Sequence, residues 1–250
     1  MDGREIYEHD IRQRPAQVAV WALRPVGTRT AIRLEYDWDY NRFDRGEATS
    51  AAFVIPRSQN AHGLRAGLDL QYSGWQASLW ASHTLRAGWR PWGVPGSADE
   101  TSASSFQRFG ASVLRTAAVS PRVTTRLEGS VVGGRDLDRF SRVSFGTFDN
   151  RLHGYPSALI RYDKGAVVRS ALSWTAARAV RIDGFADAAA VHDPGFGRGL
   201  RGYSGFGAAI ECPAPFGTLV AAEWGYGPQG VNSDGRAGTH VVRIAAYKVF

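Results

Sequence analysis

Four carboxylates in the C-terminal part of this chain are spaced in a way that could carry chemistry. Asp183 and Asp187 lie in the run VRIDGFAD, Glu211 in GFGAAIEC and Glu223 in GTLVAAEWGY. Two acids on one surface can serve as general acid and base when their surroundings drive their proton affinities apart. The spacing points elsewhere. Asp183, Asp187 and Arg181 alternate with Val180, Ile182 and Ala186, so the charges share one face of an extended chain and the apolar residues share the other. Asp and Arg interspersed on one face are what a wet barrel interior presents, and that pattern assembles no reacting geometry. The same alternation turns Glu211 and Glu223 to that side on the following segments. The six histidines (9, 62, 83, 153, 192 and 240) are dispersed and not at metal-ligand spacing. The single cysteine, Cys212, excludes an intrachain disulfide framework and a cysteine zinc site, and its alternating apolar context reads as a small hydrophobe. Gly-x-Ser-x-Gly and phosphate-loop patterns are absent. No catalytic residue, metal or cofactor is expected, and the protein is not read as an enzyme.

The elements that position these charges alternate with period 2 throughout. In TAIRLEYDWDYN, Ile32, Leu34, Tyr36, Trp38 and Tyr40 oppose Arg33, Glu35, Asp37 and Asp39. HGLRAGLDLQYS sets Leu64, Ala66, Leu68, Leu70 and Tyr72 against Arg65, Gly67, Asp69 and Gln71. Val168, Leu172 and Trp174 oppose Arg169 and Ser173, and Val220, Ala222, Trp224 and Tyr226 oppose Leu219 and Glu223. About eleven strands are readable, near 17–24, 28–43, 62–73, 74–86, 106–118, 121–135, 158–174, 178–191, 204–212, 216–227 and 239–250. Many reach the ~9–11 residues that a tilted strand needs to cross a bilayer.

The connections between strands alternate short and long. The short ones are PVG, the Ser73–Gly74 turn, VSP, TAA and PAP; the long ones cover roughly 44–61, 87–105, 136–157, 192–203 and 228–238. Tight turns at one end and long loops at the other mark transmembrane β-barrels, with the turns periplasmic and the loops extracellular. A barrel of eleven or twelve strands also encloses a lumen too wide for side chains to fill, which places the charged face on water and the apolar face on lipid. The expected fold is therefore all-β: one antiparallel transmembrane barrel over residues 1–250, of about twelve strands. Because bacterial barrels have even strand numbers, either residues 4–11 (REIYEHDI) supply a weak twelfth strand or the first strands are missing; residues 1–16 are an uncertain start.

Composition agrees. The 250 residues are 44% hydrophobic with 29 Gly, 8 Trp, 9 Tyr and 12 Phe, which favours strands over helices, and no apolar run is long enough for a transmembrane helix. The net charge of +7 is spread as scattered Arg, not gathered in a patch, so nucleic acid is not an expected partner. The opening MDGREIYEHDIRQRP shows no secretory signal. WRPWG (Trp89 to Gly93) and other aromatics near strand ends read as interfacial girdle or loop packing.

From about residue 136 to the end, the order RLHGYPS, YDKGAVVRSAL, IDGFADAAAV, YSGFGAAIECPAPFGTLVAAEWGYG and a final strand resembles the C-terminal barrel of the BamA-like bacterial surface-antigen superfamily, whose members insert or translocate proteins at the outer membrane. Residues 158–250 match best. In that family an Arg-Gly-Phe/Tyr loop motif folds down into the barrel and its arginine pairs with acids on the wall. Gly154 and Tyr155 match the Gly-Phe/Tyr pair, His153 stands at the arginine position with Arg151 two residues upstream, and Asp187 matches the inward acidic position. Ala189 replaces the glycine that usually follows that acid. The resemblance thus implies a latch: a loop over 136–157, tipped by Arg151, His153, Gly154 and Tyr155, held in the lumen among Asp183, Asp187, Glu211 and Glu223. A neutral histidine makes a weaker latch than arginine.

The resemblance further implies an outer-membrane location, contact with membrane lipid and with the barrel assembly machinery, and unfolded outer-membrane or secreted proteins as clients. The family's barrels have more strands than are readable here, and periplasmic domains before them, so the chain reads as a C-terminal piece or a reduced relative. A passive porin-like channel or membrane anchor is the alternative. The end, GTHVVRIAAYKVF, sets Val242, Ile244, Ala246 and Phe250 toward lipid and Arg243 and Tyr247 inward. Its terminal aromatic, with Tyr247, resembles the signal by which outer-membrane barrels are recognised for assembly.

Overall fold

A computed structural model of the chain describes residues 11–250 apart from 48, 50, 52, 94–102, 146–151, 156–159, 178–179, 195–196, 198, 232–236 and 249–250. It is all-β. The strands are β1 (Ile11–Pro25), β2 (Thr30–Arg45), β3 (Gln59–Tyr72), β4 (Trp75–Arg86), β5 (Ser105–Ser120), β6 (Val123–Arg135), the short pair β7 (Val143–Ser144) and β8 (Arg161–Tyr162), then β9 (Lys164–Ala177), β10 (Val180–His192), β11 (Leu200–Ala214), β12 (Thr218–Val231) and β13 (Ala237–Lys248). All but β7 and β8 form one antiparallel sheet of eleven strands in chain order; β7 pairs with β8 alone.

Each expected strand has its counterpart, and β1, β3, β5, β11 and β12 run longer than the alternation alone indicated. β1 begins at Ile11 instead of residue 17, and β12 and β13 extend to Val231 and from Ala237, which shortens the last loop. Strands of the sheet are 12 to 16 residues long, more than the ~9–11 a tilted strand needs to span hydrocarbon. Ser73 and Gly74 close the β3–β4 hairpin with φ of 45° and 79°, the left-handed pair a two-residue turn requires.

The register keeps the apolar face in phase from strand to strand. Leu68 lies opposite Leu79, Leu79 opposite Ala111, Ala111 opposite Val131, and Val131 opposite Ala166. Among the described residues this face carries no packing partner: Leu64 is 61% exposed, Leu79 61% and Ile244 76%. A continuous apolar surface of this extent is stable against hydrocarbon and unstable against water. The other face encloses a cavity of about 1010 Å³ lined from β1 (Gln17) through β5 (Arg108) to β12 (Glu223). The sheet therefore curls around an interior, with Arg33, Arg65, Arg169 and Asp183 among the side chains that face it.

In a meander each strand reverses the one before it, so the edge strands β1 and β13, first and eleventh in the sheet, run the same way. No ladder joins them among the described residues, and a direct one would be parallel. Of residues 4–11, the candidate for a further strand, Ile11 belongs to β1 and 4–10 fall outside the described residues.

Candidate functional site

The site is built where the chain leaves β6, makes its longest excursion and returns through β8 to β9. Leu152 and Tyr155 in this segment are fully buried, His153 is 8% exposed, and all three sit on the inner faces of β10 to β13. Inner-face glycines make that approach possible. A Cβ added to Gly205 on β11 would lie 2.4 Å from the His153 carbonyl oxygen, and one on Gly225 of β12 would lie 2.5 Å from the Gly154 nitrogen. The loop side is as strict: Gly154 has φ +85°, and a Cβ there would fall 2.0 Å from the Tyr226 carbonyl carbon. Backbone lies on backbone, which only glycine permits.

Polar contacts hold the turn. The His153 backbone N–H donates to Asp187 Oδ2 at 2.9 Å, and His153 Nδ1 lies 2.5 Å from the same oxygen. The imidazole stacks on Phe185 with ring centroids 4.2 Å apart and planes 7° from parallel. Its Nε2 is 3.9 Å from Glu223 Oε1, close enough for electrostatic attraction and too far for a hydrogen bond. From β13, the Thr239 hydroxyl donates to the Gly154 carbonyl at 2.6 Å. The Tyr155 hydroxyl lies 2.9 Å from the Ser204 carbonyl and 2.8 Å from Gln229 Oε1. Burial pushes that phenol up to about 12, so it stays a neutral donor. Around it, Phe145, Leu152, Tyr162, Val167, Val191 and Tyr203 form an apolar cluster inside the wall.

Of the four acids expected to meet the loop, two do so: Asp187 directly and Glu223 at longer range. Asp183 is taken by Arg181, two residues earlier on the same face, through Nε at 3.0 Å and Nη2 at 2.9 Å. Glu211 accepts from the Tyr247 hydroxyl, which places Tyr247 inward. Arg151 and Phe250 lie outside the described residues. Among the described residues Asp187 Oδ1 is buried with no hydrogen-bond donor, because both His153 groups converge on Oδ2.

A second assembly was not expected from the sequence. Arg86, at the end of β4, is nearly buried and is shared among the carbonyls of Ala103 (2.9 Å) and Asp136 (3.3 Å), Ser141 Oγ (3.0 Å) and Asp138 Oδ1 (3.4 Å). Asp138 also accepts from Trp92 Nε1 at 3.2 Å. Trp92, Phe53, Phe140 and Phe43 pack as tilted rings around this pair, with centroids 4.8 to 6.0 Å apart and planes 40° to 59° from parallel. Three loops, 46–58, 87–104 and 136–142, are tied together here. WRPWG is loop packing: Trp92 is 2% exposed and Trp89 stacks under the Arg86 guanidinium. The partners are spread over loops distant in sequence, so no local pattern could have announced them.

No protein-family model and no curated protein matches the sequence. Among solved structures, the chain is similar to BamA from Haemophilus ducreyi lacking POTRA domains 1-3, with a TM-score of 0.61 at 12% identity over 96% of this chain and 56% of that one. It is also similar to CdiB from Escherichia coli, with a TM-score of 0.63 at 17% identity over 94% of this chain and 45% of that one. The chain spans about half the length of the structures it matches. The fold of this chain is that of the BamA and CdiB β-barrels.

Proposed function

We propose that this chain is an outer-membrane β-barrel of the kind that inserts or translocates proteins, with its lumen held shut by the turn over Leu152–Tyr155. The observation that carries this reading is the seating of that turn: Gly205 of β11 under the His153 backbone, Gly225 of β12 under Gly154, and two His153 groups on Asp187. A loop that merely covered the mouth would need no such floor. The apolar outer face meets membrane lipid, and folding of the barrel into the membrane depends on assembly machinery that reads the final strand. Its clients are unfolded outer-membrane or secreted chains. The likeness to BamA and CdiB supports this role by fold alone. A passive channel is the second reading, favoured by the cavity of about 1010 Å³ behind the turn.

Two assays on the barrel reconstituted in liposomes separate them. Gly154→Ala, whose methyl has no room, is expected to raise ion conductance over the parent chain. Insertion of an unfolded outer-membrane client is expected with the parent chain and to fall with Gly154→Ala. Conductance without client insertion by either form would support the channel. Unchanged conductance would overturn the latch.

A further inference from the structure

We infer that the periplasmic rim of the barrel binds the headgroup of an anionic phospholipid, at a row formed by Arg29, Tyr72, Trp75 and Arg115 across β2 to β5. This rests on the reading of the chain as an outer-membrane barrel whose short turns face the periplasm. The β3–β4 hairpin builds the row. Tyr72 and Trp75 stand opposite each other in the register, and both are exposed, Tyr72 by 57% and Trp75 by 45%. The Arg29 guanidinium, from the turn between β1 and β2, lies 4.3 Å from the Tyr72 ring centroid, and that of Arg115 on β5 lies 5.0 Å from the Trp75 centroid. Arg115 Nη1 also donates to the Ser73 carbonyl at 2.6 Å, which fixes it beside the hairpin turn. Two cations far apart in sequence therefore flank an aromatic pair at one strand end.

The row lacks counter-charge. Among the described residues neither Arg29 nor Arg115 forms an ion pair, and neither do the exposed Arg24 and Arg122 at the same end. The short turns 26–29, 73–74, 121–122, 178–179 and 215–217 contain no Asp or Glu. The acids nearest those turns on β2, β3, β6, β10 and β11 face inward. There Glu35 is met by Arg65, Asp69 by Arg33, Glu128 by Arg169, Asp183 by Arg181 and Glu211 by the Tyr247 hydroxyl. The opposite rim differs, because Asp44 lies 3.6 Å from Arg14 and 3.4 Å from Arg42. Exposed Tyr and Trp sit at headgroup level, and a guanidinium fork beside them suits phosphate oxygens. The apolar outer face continues from Tyr72 to Leu70, which is 45% exposed, and receives acyl chains. That continuity selects a lipid over a free anion.

The test reconstitutes the full chain in phosphatidylcholine vesicles holding a minor share of brominated lipid and reads the quenching of tryptophan fluorescence. Brominated phosphatidylglycerol is expected to quench more than brominated phosphatidylcholine at equal share, and rising salt to reduce the difference. Arg29→Gln is expected to weaken that preference about fivefold, the value of one basic residue at a membrane surface. Arg29→Gln combined with Arg115→Gln should abolish it. The Arg29 side chain hydrogen-bonds to nothing among the described residues, so its single variant serves if the double one fails to fold. Arg42→Gln removes the same charge at the other rim, where Asp44 pairs with it, and is expected to keep the preference. Equal quenching by the two lipids in the parent chain, a preference undiminished by the Arg29 and Arg115 variants, or an equal loss with Arg42→Gln would overturn the site. Quenching by neither lipid would overturn the membrane reading on which it rests.

Discussion

The two loop assemblies of this molecule are held by different physics. The Leu152–Tyr155 turn is held by shape: glycines on both sides let backbone touch backbone, and one carboxylate receives two donors from His153. The Arg86 assembly is held by charge and rings: a buried guanidinium is spread over four acceptors and packed among tryptophan and phenylalanine. The first has an incomplete polar accounting, since among the described residues Asp187 Oδ1 has no donor. The second leaves nothing unmet at the Arg86 guanidinium ends. A contact short of one donor is easier to open than one whose charge has no alternative partner. On that ground the turn is proposed as the more easily opened of the two, and the Arg86 loops as the more fixed.

Breaking the more fixed assembly should have the largest effect. Arg86→Leu takes the counter-charge from the buried Asp138 carboxylate, which keeps only its Trp92 and Ser141 donors, and is expected to cost about 3–5 kcal/mol. Urea unfolding of the barrel in lipid vesicles should show that loss, with faster protease nicking in 46–58, while the turn stays seated. Asp187→Ala removes the acceptor of both His153 groups and is expected to cost the turn about 1.5–3 kcal/mol. It should raise liposome conductance with little change in nicking of 46–58. The smallest change is a gain. His153→Arg gives Asp187 Oδ1 a donor and makes the pair bidentate, so it should stabilise the closed turn by about 1 kcal/mol and lower residual conductance below that of the parent chain. If Arg86→Leu opened the turn as readily as Asp187→Ala, the two assemblies would be one unit and the comparison would fail.

Much of this was legible in the sequence because barrel strands state their geometry with period 2. Leu64 against Arg65, or Ile182 against Asp183, fixes which side meets lipid without reference to any other strand. Strand ends were less legible: Gln13 to Ala16 carry no alternation, yet pair along β2 because the ladder needs backbone groups alone. The acid that receives His153 was marked by its inward position and by its match to the family's acidic position, but alternation alone could not rank the four candidates. Asp183 is lost to Arg181 on its own strand and Glu211 to Tyr247 across strands, and those choices depend on side-chain reach. Arg86, Trp92 and Asp138 were invisible as a group, since three loops had to fold before they met.

The central claim is that the Leu152–Tyr155 turn lies inside the wall. Leu152→Cys in a Cys212→Ser background tests it most directly, by labelling with a polar, membrane-impermeant maleimide on reconstituted barrels. Leu152 is fully buried, whereas Val54 in an outer loop is 50% exposed, so Val54→Cys serves as the accessible control. The account predicts that Leu152→Cys resists labelling while Val54→Cys reacts fully, and that adding Gly154→Ala makes Leu152→Cys reactive. Labelling of Leu152→Cys as fast as Val54→Cys with Gly154 intact would contradict it.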